Sequence, residues 1–155
     1  MKESPSPTIS RKRCSEIMTR DVRTASPDTP IRDVAALMRD GDMGSVPVVQ
    51  AGKLAGIVTD RDMVVRVLAD GKGADTPVSE AMTTELITVK SDDFVFEAIR
   101  LMGDKQVRRI PVVNELGDLE GIIAMADVAL ETEDEREIAE TLEEISSGAG
   151  FWKKN

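Results

Sequence analysis

The segment SEIMT at residues 15–19 recurs as SEAMT at residues 79–83, which is an offset of 64 positions. A second pair of segments keeps this spacing, and a third pair is displaced by 65 positions. The one-residue insertion lies in a polar turn, where a duplicated fold tolerates it. The sequence therefore predicts two copies of one structural unit. The second and third pairs are PVV at 47–49 and 111–113, and GIV at 56–58 with GII at 121–123.

Each copy has the pattern of a β-α-β-β-α unit. In the first copy Thr29 is the predicted N-cap of the first helix, Pro30 its first residue and Gly41 its C-terminal stop. Asp93 takes the place of Thr29 in the second copy. Two β-rich runs around a polar turn then predict a hairpin. The strands are expected at 22–25, 46–50, 54–58, 86–89, 110–114 and 119–123, and the second helices at 60–69 and from residue 126.

The repeat divides the chain into four predicted regions. We expect a disordered N-terminal tail, because its first ten residues are rich in Ser and Pro, then two repeats and an acidic helical tail. The first helix of each repeat carries an apolar face at helical spacing, which predicts the core. The regions are 1–10, 11–72, 73–130 and 131–155, and the two faces are Ile31, Val34, Leu37 and Met38, and Val95, Ala98, Ile99, Leu101 and Met102.

The acidic tail has two interpretations. Ile138, Leu142 and Ile145 form a narrow apolar stripe, which favours a solvated helix that packs loosely on the body. Alternatively, the tail docks on a second copy or a partner through Phe151 and Trp152, two of the four aromatic residues.

Composition excludes several kinds of chemistry. The chain has no histidine and no tyrosine, and Cys14 is its only cysteine. A Ser-His-Asp triad and a Cys/His zinc site are therefore excluded. The net charge of −9 argues against nucleic acid and anionic lipid as partners. No apolar run is long enough to span a membrane and residues 1–13 lack a signal-like apolar stretch, so we expect a cytoplasmic protein.

The motifs SEIMTRDVRTASPDTPI, MGSVPVV and GIVTDRD, followed by SEAMTTELITVKSDDFVF, QVRRIPVV and GIIAMAD, resemble a tandem pair of CBS (cystathionine β-synthase-type) domains. The resemblance covers about residues 14–130. It implies an α/β (α+β) fold of two repeats packed sheet to sheet with pseudo-two-fold symmetry. It also implies a free-standing regulatory module, with no catalytic role, that binds AMP, ADP or ATP, with S-adenosylmethionine or NAD as further candidates. Such modules commonly form homodimers through their helices and act on a partner protein, here unidentified.

The segment GIVTDRD at residues 56–62 carries the predicted ligand site. Its local interpretation is a capping box, with Thr59 as the N-cap and Asp62 three residues later. In the CBS family the corresponding Thr and Asp contact the ribose of the ligand, and the two roles can coexist. The resemblance therefore assigns Thr59 and Asp62, with the neighbouring Asp60, to the ligand.

The other wall of this cleft is implied by the second repeat. Leu86, Ile87 and Val107 would hold the flat adenine by apolar contact, although plain core packing explains them as well. Arg109 matches the family's phosphate-binding position, and a guanidinium suits phosphate. A solvated surface arginine is the alternative, and Arg108 is the expected solvent-facing neighbour. Thr88 and Pro111 complete the predicted set.

The symmetric cleft has lost part of the motif. Ala124 stands where Thr59 does in the first repeat, so a hydroxyl is missing, and Ser45 stands at the Arg109 position. Asp127 is retained. We predict one good site in each chain, and a second that is empty, weak or suited to an uncharged ligand such as adenosine.

Two other functions compete with nucleotide sensing. The degenerate second motif favours a structural, dimerising interaction module with vestigial clefts. A nucleotide hydrolase would need Asp60 and Asp62 as magnesium ligands, and the chain lacks the GxxxxGK[ST] loop of one large class of these enzymes.

Overall fold

The computed structural model describes residues 11–131 together with Ala139, Glu143 and Ile145. These residues fall into two compact units. The first-repeat unit comprises Asp21–Leu86 and Glu115–Leu119, and the second-repeat unit comprises the remainder. Neither unit coincides with a sequence repeat. Residues 11–20 open the predicted first repeat but belong to the second-repeat unit, and residues 73–86 open the predicted second repeat but belong to the first-repeat unit.

The first-repeat unit combines a long helix with an antiparallel hairpin and the helix that follows it. The hairpin confirms the predicted β-rich runs to within one residue at each end. The elements are α2 (Ile31–Gly41), β1 (Ser45–Gln50), β2 (Lys53–Thr59), α3 (Asp60–Met63), a π-helical turn (Val64–Leu68) and a 3₁₀ turn (Val78–Glu80).

The second-repeat unit repeats this plan around a three-stranded sheet. Its strand order is β3-β4-β5, with β3 parallel to β4. The elements are α1 (Cys14–Ile17), β3 (Val89–Lys90), α4 (Val95–Lys105), β4 (Arg109–Val113), β5 (Leu119–Ala124) and α5 (Met125–Glu131). Helices and strands are therefore mixed in each unit, as the predicted α+β class requires.

Each unit has its own aliphatic core. The predicted apolar faces of α2 and α4 are confirmed, because all of their members are buried or pack against buried residues. Val46, Val48 and Val58 supply the hairpin's contribution in the first-repeat unit. In a strand the side chains alternate between two faces, so Ser45 and Thr59 lie on the face opposite this core.

The predicted first strand of each copy is shorter than expected. In the first copy only Ala25 pairs, in a single parallel bridge to Val48, whereas a strand was predicted over residues 22–25. In the second copy the strand is Val89–Lys90, whereas residues 86–89 were predicted. Of the eight residues predicted in these two strands, only Ala25 and Val89 pair with a neighbouring strand.

The predicted caps of the first helices are wrong by one residue. The N-cap is Pro30 instead of Thr29, and Phe94 instead of Asp93. Thr29 and Asp93 instead accept hydrogen bonds from backbone N–H groups three residues earlier, at 3.0 and 2.8 Å. Each side chain thus closes the turn before the helix and leaves the first helical N–H groups to other partners.

Backbone carbonyls of Ala74 and Thr76, which lie between the π-helical turn and the 3₁₀ turn, supply those partners for α2. The Ile31 N–H donates to Thr76 O at 2.9 Å, and the Arg32 N–H donates to Ala74 O at 3.1 Å. Because the first N–H groups of a helix have no intrahelical acceptor, this segment replaces the missing side-chain cap.

The second helix of the first repeat changes character after one turn. A regular helix was predicted over residues 60–69, but the chain is α-helical only to Met63 and π-helical from Val64 to Leu68. The Ala69 N–H donates to Val64 O at 2.8 Å, five residues back. This wider turn leaves Val64, Val65 and Leu68 exposed by 54, 52 and 71%.

Segments from outside each repeat complete its hairpin. Ile57 and Thr83 exchange two backbone hydrogen bonds, of 3.0 and 2.8 Å, beside β2. Ile122 and Thr19 do the same beside β5, at 3.0 and 2.8 Å. The recurring Met-Thr of the SEIMT and SEAMT segments therefore pairs with the outer edge of a hairpin strand. Each hairpin needs one such segment, so the motif occurs once for each hairpin.

Part of the tail is described. Ile145 is buried in the second-repeat core, in line with its place in the predicted stripe. The other predictions for the termini, namely disorder of residues 1–10, the roles of Ile138 and Leu142, and docking by Phe151 and Trp152, lie outside the described residues. Within residues 11–131 and the three tail positions, no helix is both long and apolar enough to cross a membrane.

Candidate functional site

The Thr59–Asp62 motif forms a reciprocal capping box at the end of β2. The Thr59 N–H donates to Asp62 Oδ2 at 2.9 Å, and the Asp62 N–H donates to Thr59 Oγ1 at 3.1 Å. The local interpretation of the motif is thus confirmed. Both residues are partly buried. Neither bond uses Asp62 Oδ1 or the Thr59 hydroxyl hydrogen, so each residue retains hydrogen-bonding capacity for a ligand.

Asp60 occupies the first helical position after Thr59. Its N–H donates to Gly44 O at 3.0 Å, and its Oδ1 accepts from the Arg61 N–H at 2.9 Å. The residue is exposed. The start of β1 and the start of α3 are therefore joined by backbone bonding, which brings residues 44–45 next to the Thr59–Asp62 motif.

The equivalent point of the second-repeat unit has half of this box. The Ala124 N–H donates to Asp127 Oδ2 at 3.1 Å, but Ala124 has no hydroxyl to return the bond. The Met125 N–H donates to Arg108 O at 2.8 Å, as Asp60 does to Gly44 in the first repeat. Arg109 therefore begins β4 beside the end of β5. Asp127 remains positioned although the Thr has been lost.

Arg109 is exposed, as is Arg108. Within the part of the chain that the structure describes, neither guanidinium forms an ion pair or a side-chain hydrogen bond. The exposure of Arg109 agrees with both of its sequence interpretations.

The remaining predicted site residues are divided between the two units. Leu86 is exposed and belongs to the first-repeat unit with Thr59, Asp60 and Asp62. The other members belong to the second-repeat unit with Arg109. That the two sets face one pocket stays a prediction. Ile87 and Val107 are partly buried against the second-repeat core, Thr88 is partly buried and Pro111 is buried.

Ser45 is a buried polar residue whose surroundings the sequence did not reveal. Its exposed fraction is 8%, and its Oγ has no hydrogen-bond partner among the described residues. It pairs directly with Thr59 across the hairpin. From the sequence, Ser45 is only the residue that replaces a cation at the position equivalent to Arg109. The strand register, which shows that it shares a face with Thr59, was the missing signal.

Cys14 is unsuited to nucleophilic chemistry. The side chain is fully buried in the second-repeat core. Burial, reinforced by the nearby carboxylates of Asp93 and Glu97, raises the pKa of the thiol to about 12. The thiol is therefore protonated at neutral pH, and the reactive thiolate is not formed. Residues 11–131 and the three described tail positions also hold no cluster of three or more potential metal ligands.

Comparison with known proteins identifies the repeats. The CBS domain family matches residues 14–69 and 78–134. The CBS domain-containing protein YhcV of Bacillus subtilis is 41% identical over 115 residues, which cover 74% of this chain and 81% of the relative.

Solved structures show the same fold. The CBS domain pair of protein MJ0100, in complex with 5′-methylthioadenosine and S-adenosyl-L-methionine, superposes with a TM-score of 0.69 and 25% identity over 77% of this chain and 94% of that one. CBSX2 in complex with AMP gives a TM-score of 0.69 and 25% identity over 76% and 93% of the two chains. The two family matches span most of the described residues, and the relatives share both repeats. This chain therefore belongs to the CBS domain family and carries a tandem pair of CBS domains.

Proposed function

We propose that this CBS pair binds an adenine nucleotide of the AMP, ADP or ATP type and signals its presence to a partner protein, without catalysing a reaction. The observation that carries the proposal is the Thr59–Asp62 capping box, which orients a carboxylate with one oxygen still free. The AMP complex of CBSX2 and the S-adenosyl-L-methionine complex of MJ0100 support this ligand class.

The capping box prepares Asp62 for a sugar. Because Oδ2 is held by the Thr59 N–H, the carboxylate has little rotational freedom to lose when a ligand binds. Its free Oδ1 can accept hydrogen bonds from the ribose hydroxyls, and the Thr59 hydroxyl can donate another. Asp60 is exposed at the start of the same helix, and it is close enough in sequence to Thr59 and Asp62 to contact the ligand as well.

Arg109 supplies the charge for a phosphate in this proposal. Its guanidinium has no partner among the described residues, and its planar donors match phosphate oxygens. The adenine would lie against Leu86, Ile87 and Val107, with Thr88 and Pro111 beside them. S-adenosylmethionine and NAD share the adenosine part, so they stay in the candidate set.

Isothermal titration with adenosine, AMP, ADP, ATP, NAD and S-adenosylmethionine tests the proposal. Asp62→Asn keeps an oxygen to accept from the Thr59 N–H but removes the charge, and we expect it to weaken AMP binding about tenfold or more. Arg109→Gln should weaken AMP binding similarly and leave adenosine binding unchanged. Arg108→Gln is the matched control and should alter neither. The proposal fails if wild-type protein binds none of these ligands, or if both site variants bind AMP as wild type does.

A second candidate function is a homodimeric interaction module with vestigial clefts. The exposed Val64, Val65 and Leu68 on the helix of the first repeat favour it, because neighbouring apolar side chains of this size are typical of protein interfaces. We infer that a homodimer would use this surface. Sedimentation analysis of Leu68→Asp should then give a monomer, with Arg61→Asp as the exposed control. A dimer unchanged by Leu68→Asp would exclude this surface.

The absence of catalysis is a separate part of the proposal. Steady release of phosphate from ATP by wild-type protein, abolished by Asp62→Asn, would overturn it. The regulated partner and a cytoplasmic location stay predictions. Affinity capture in the presence and absence of AMP would test for a nucleotide-dependent partner.

A further inference from the structure

Arg66 connects the helix that carries Asp62 to the SEAMT segment. It lies four residues after Asp62, within the π-helical turn. Its Nη1 atom donates to Ala81 O at 2.9 Å and to Met82 O at 3.2 Å, and it lies 3.4 Å from Thr83 Oγ1. All of these residues belong to the first-repeat unit. One guanidinium nitrogen therefore faces three acceptors of the segment that completes the first hairpin.

These contacts close a loop of the chain around the Thr59–Asp62 motif. Thr83 exchanges two backbone hydrogen bonds with Ile57, at 3.0 and 2.8 Å. Ile57 lies two residues before Thr59 on β2. The end of β2 and the helix that follows it are thus joined twice, once by the chain itself and once through Arg66 and the SEAMT segment. The second connection fixes the direction in which the helix leaves β2, and with it the position of Asp62.

The second repeat shows that a hairpin pairs with its Met-Thr segment without this arginine. In that repeat the segment also exchanges two backbone hydrogen bonds with β5, at 3.0 and 2.8 Å. The 65-residue offset that relates Thr59 to Ala124 places Glu131 at the position of Arg66. An ionised carboxylate has no hydrogen to donate to a carbonyl. The repeat without the arginine is also the one that has lost the hydroxyl of the capping box. Completion of the hairpin therefore does not explain Arg66.

We propose that Arg66 is a positioning residue of the nucleotide site, which holds Thr59 and Asp62 in the orientation that binds the ribose. This inference rests on the proposed function and deepens it, because it names what keeps the binding groups in place. Arg66 acts through Asp62 and not by contact with the ligand, since the two residues share one short helix whose later turn is tied to the strand. A site held in its binding geometry loses less conformational freedom when the ligand arrives, and so binds it more tightly.

Arg66→Met tests this role, because methionine keeps an aliphatic side chain and removes every donor. We expect it to weaken AMP binding about three- to tenfold in isothermal titration. Adenosine binding should weaken by the same factor, because the groups that Arg66 positions hold the ribose, which both ligands contain. An arginine that contributed only its positive charge would affect AMP and leave adenosine unchanged.

Arg66→Lys is the conservative variant. The wild-type contacts converge on a single nitrogen, and an ammonium group has three N–H donors. Lysine can therefore serve the same carbonyls, and Arg66→Lys should bind both ligands within about twofold of wild type.

Ile31→Val separates positioning from overall stability. Ile31 is buried in the core of the same unit, at the start of α2. Loss of one buried methyl group should lower the melting temperature by a few degrees, as Arg66→Met should. The affinity of folded Ile31→Val for AMP should nevertheless equal that of wild type, because its binding groups are undisturbed.

Hydrogen exchange of the ligand-free protein gives a readout that needs no nucleotide. The Asp62 N–H is held by Thr59 Oγ1 at 3.1 Å. It should exchange about three- to tenfold faster in Arg66→Met than in wild type, because the start of the helix opens more readily. Ile31→Val should leave this rate unchanged.

Several results would overturn the inference and leave the proposed function intact. They are an Arg66→Met variant that binds both ligands as wild type does, one that loses affinity for AMP alone, and an Arg66→Lys variant that binds no better than Arg66→Met. An unchanged exchange rate at Asp62 in Arg66→Met would also overturn it. A wild type that binds neither ligand would instead remove the proposed function, and the inference with it.

Discussion

Replacement of Gly56 by alanine tests how the Met-Thr segment completes the first hairpin. A Cβ built on Gly56 would lie 2.9 Å from Thr83 O, 2.7 Å from Met82 Sδ and 3.0 Å from Met82 Cγ. The methionine side chain can move aside, but the carbonyl cannot move freely. Thr83 O accepts from the Ile57 N–H at 3.0 Å, and the Thr83 N–H donates to Ile57 O at 2.8 Å. Gly56→Ala must therefore stretch this bridge.

The cost can be estimated from the groups involved. Weakening two backbone hydrogen bonds costs about 0.5–1.5 kcal/mol each, and overpacking a filled site costs about 1–3 kcal/mol. Alanine recovers about 0.5–1 kcal/mol, because a strand glycine loses more backbone entropy on folding. The net expectation is a loss of about 3 kcal/mol in the free energy of unfolding, within a range of roughly 1–5 kcal/mol.

Urea denaturation followed by far-UV circular dichroism measures this loss. With a slope of about 2 kcal/mol per molar, the midpoint of Gly56→Ala should fall by about 1.5 M. Gly73→Ala is the matched control, because a Cβ there has no atom within 4 Å and its φ is not positive. It should be neutral or slightly stabilising. If Gly56→Ala and Gly73→Ala denature at the same urea concentration, the close approach has no energetic consequence and the reasoning is wrong.

Three further predictions concern stability. Ala124→Thr should complete the capping box with Asp127 and raise the free energy of unfolding by about 1 kcal/mol in the same urea assay, and a decrease would contradict it. Burial raises the pKa of the Cys14 thiol to about 12 in the folded protein. The contribution of Cys14 to the free energy of unfolding is therefore complete below pH 9, the range in which the thiol is protonated in both states. It falls at higher pH, because the thiol then ionises in the unfolded chain but not in the folded protein. Wild type should therefore lose about 1.4 kcal/mol more than Cys14→Ala between pH 8 and pH 10, and equal losses would refute the burial argument. Arg66→Ala removes donation to the Ala81 and Met82 carbonyls, at 2.9 and 3.2 Å. It should lower the melting temperature by a few degrees, and an unchanged value would show that water replaces the guanidinium.

Much of the local structure was predictable because it depends on near neighbours in the chain. The apolar faces of α2 and α4 follow from helical spacing, and both hairpins follow from β-rich runs around a polar turn. The Thr59–Asp62 capping box was predictable for the same reason, since it joins residues three positions apart.

The errors in the helix caps and in the first strands occur where a distant segment supplies the partner. Thr29 was predicted as a cap because its residue type suits that role. The Ile31 and Arg32 N–H groups instead bond to carbonyls more than forty residues away. The first strand of each copy was predicted over four residues, but Ala25 pairs only where β1 lies beside it.

The candidate site was predictable as a set of residues but not as an arrangement. The resemblance supplied Thr59, Asp62 and Arg109 from motifs alone. Ser45 was assigned to the symmetric cleft by its match to Arg109, and its pairing with Thr59 across the hairpin was not predictable, because only the strand register shows a cross-strand partner.

The sequence by itself determined that the chain is a duplicated CBS unit, since a repeated order of motifs survives in residue identity alone. Only the tertiary structure showed that SEIMT and SEAMT complete the hairpin of the other repeat, and that this contact requires Gly56 and Gly121. The physical reason is that hydrogen bonds and steric contacts depend on distances in space, which residue spacing reports only for near neighbours in the chain.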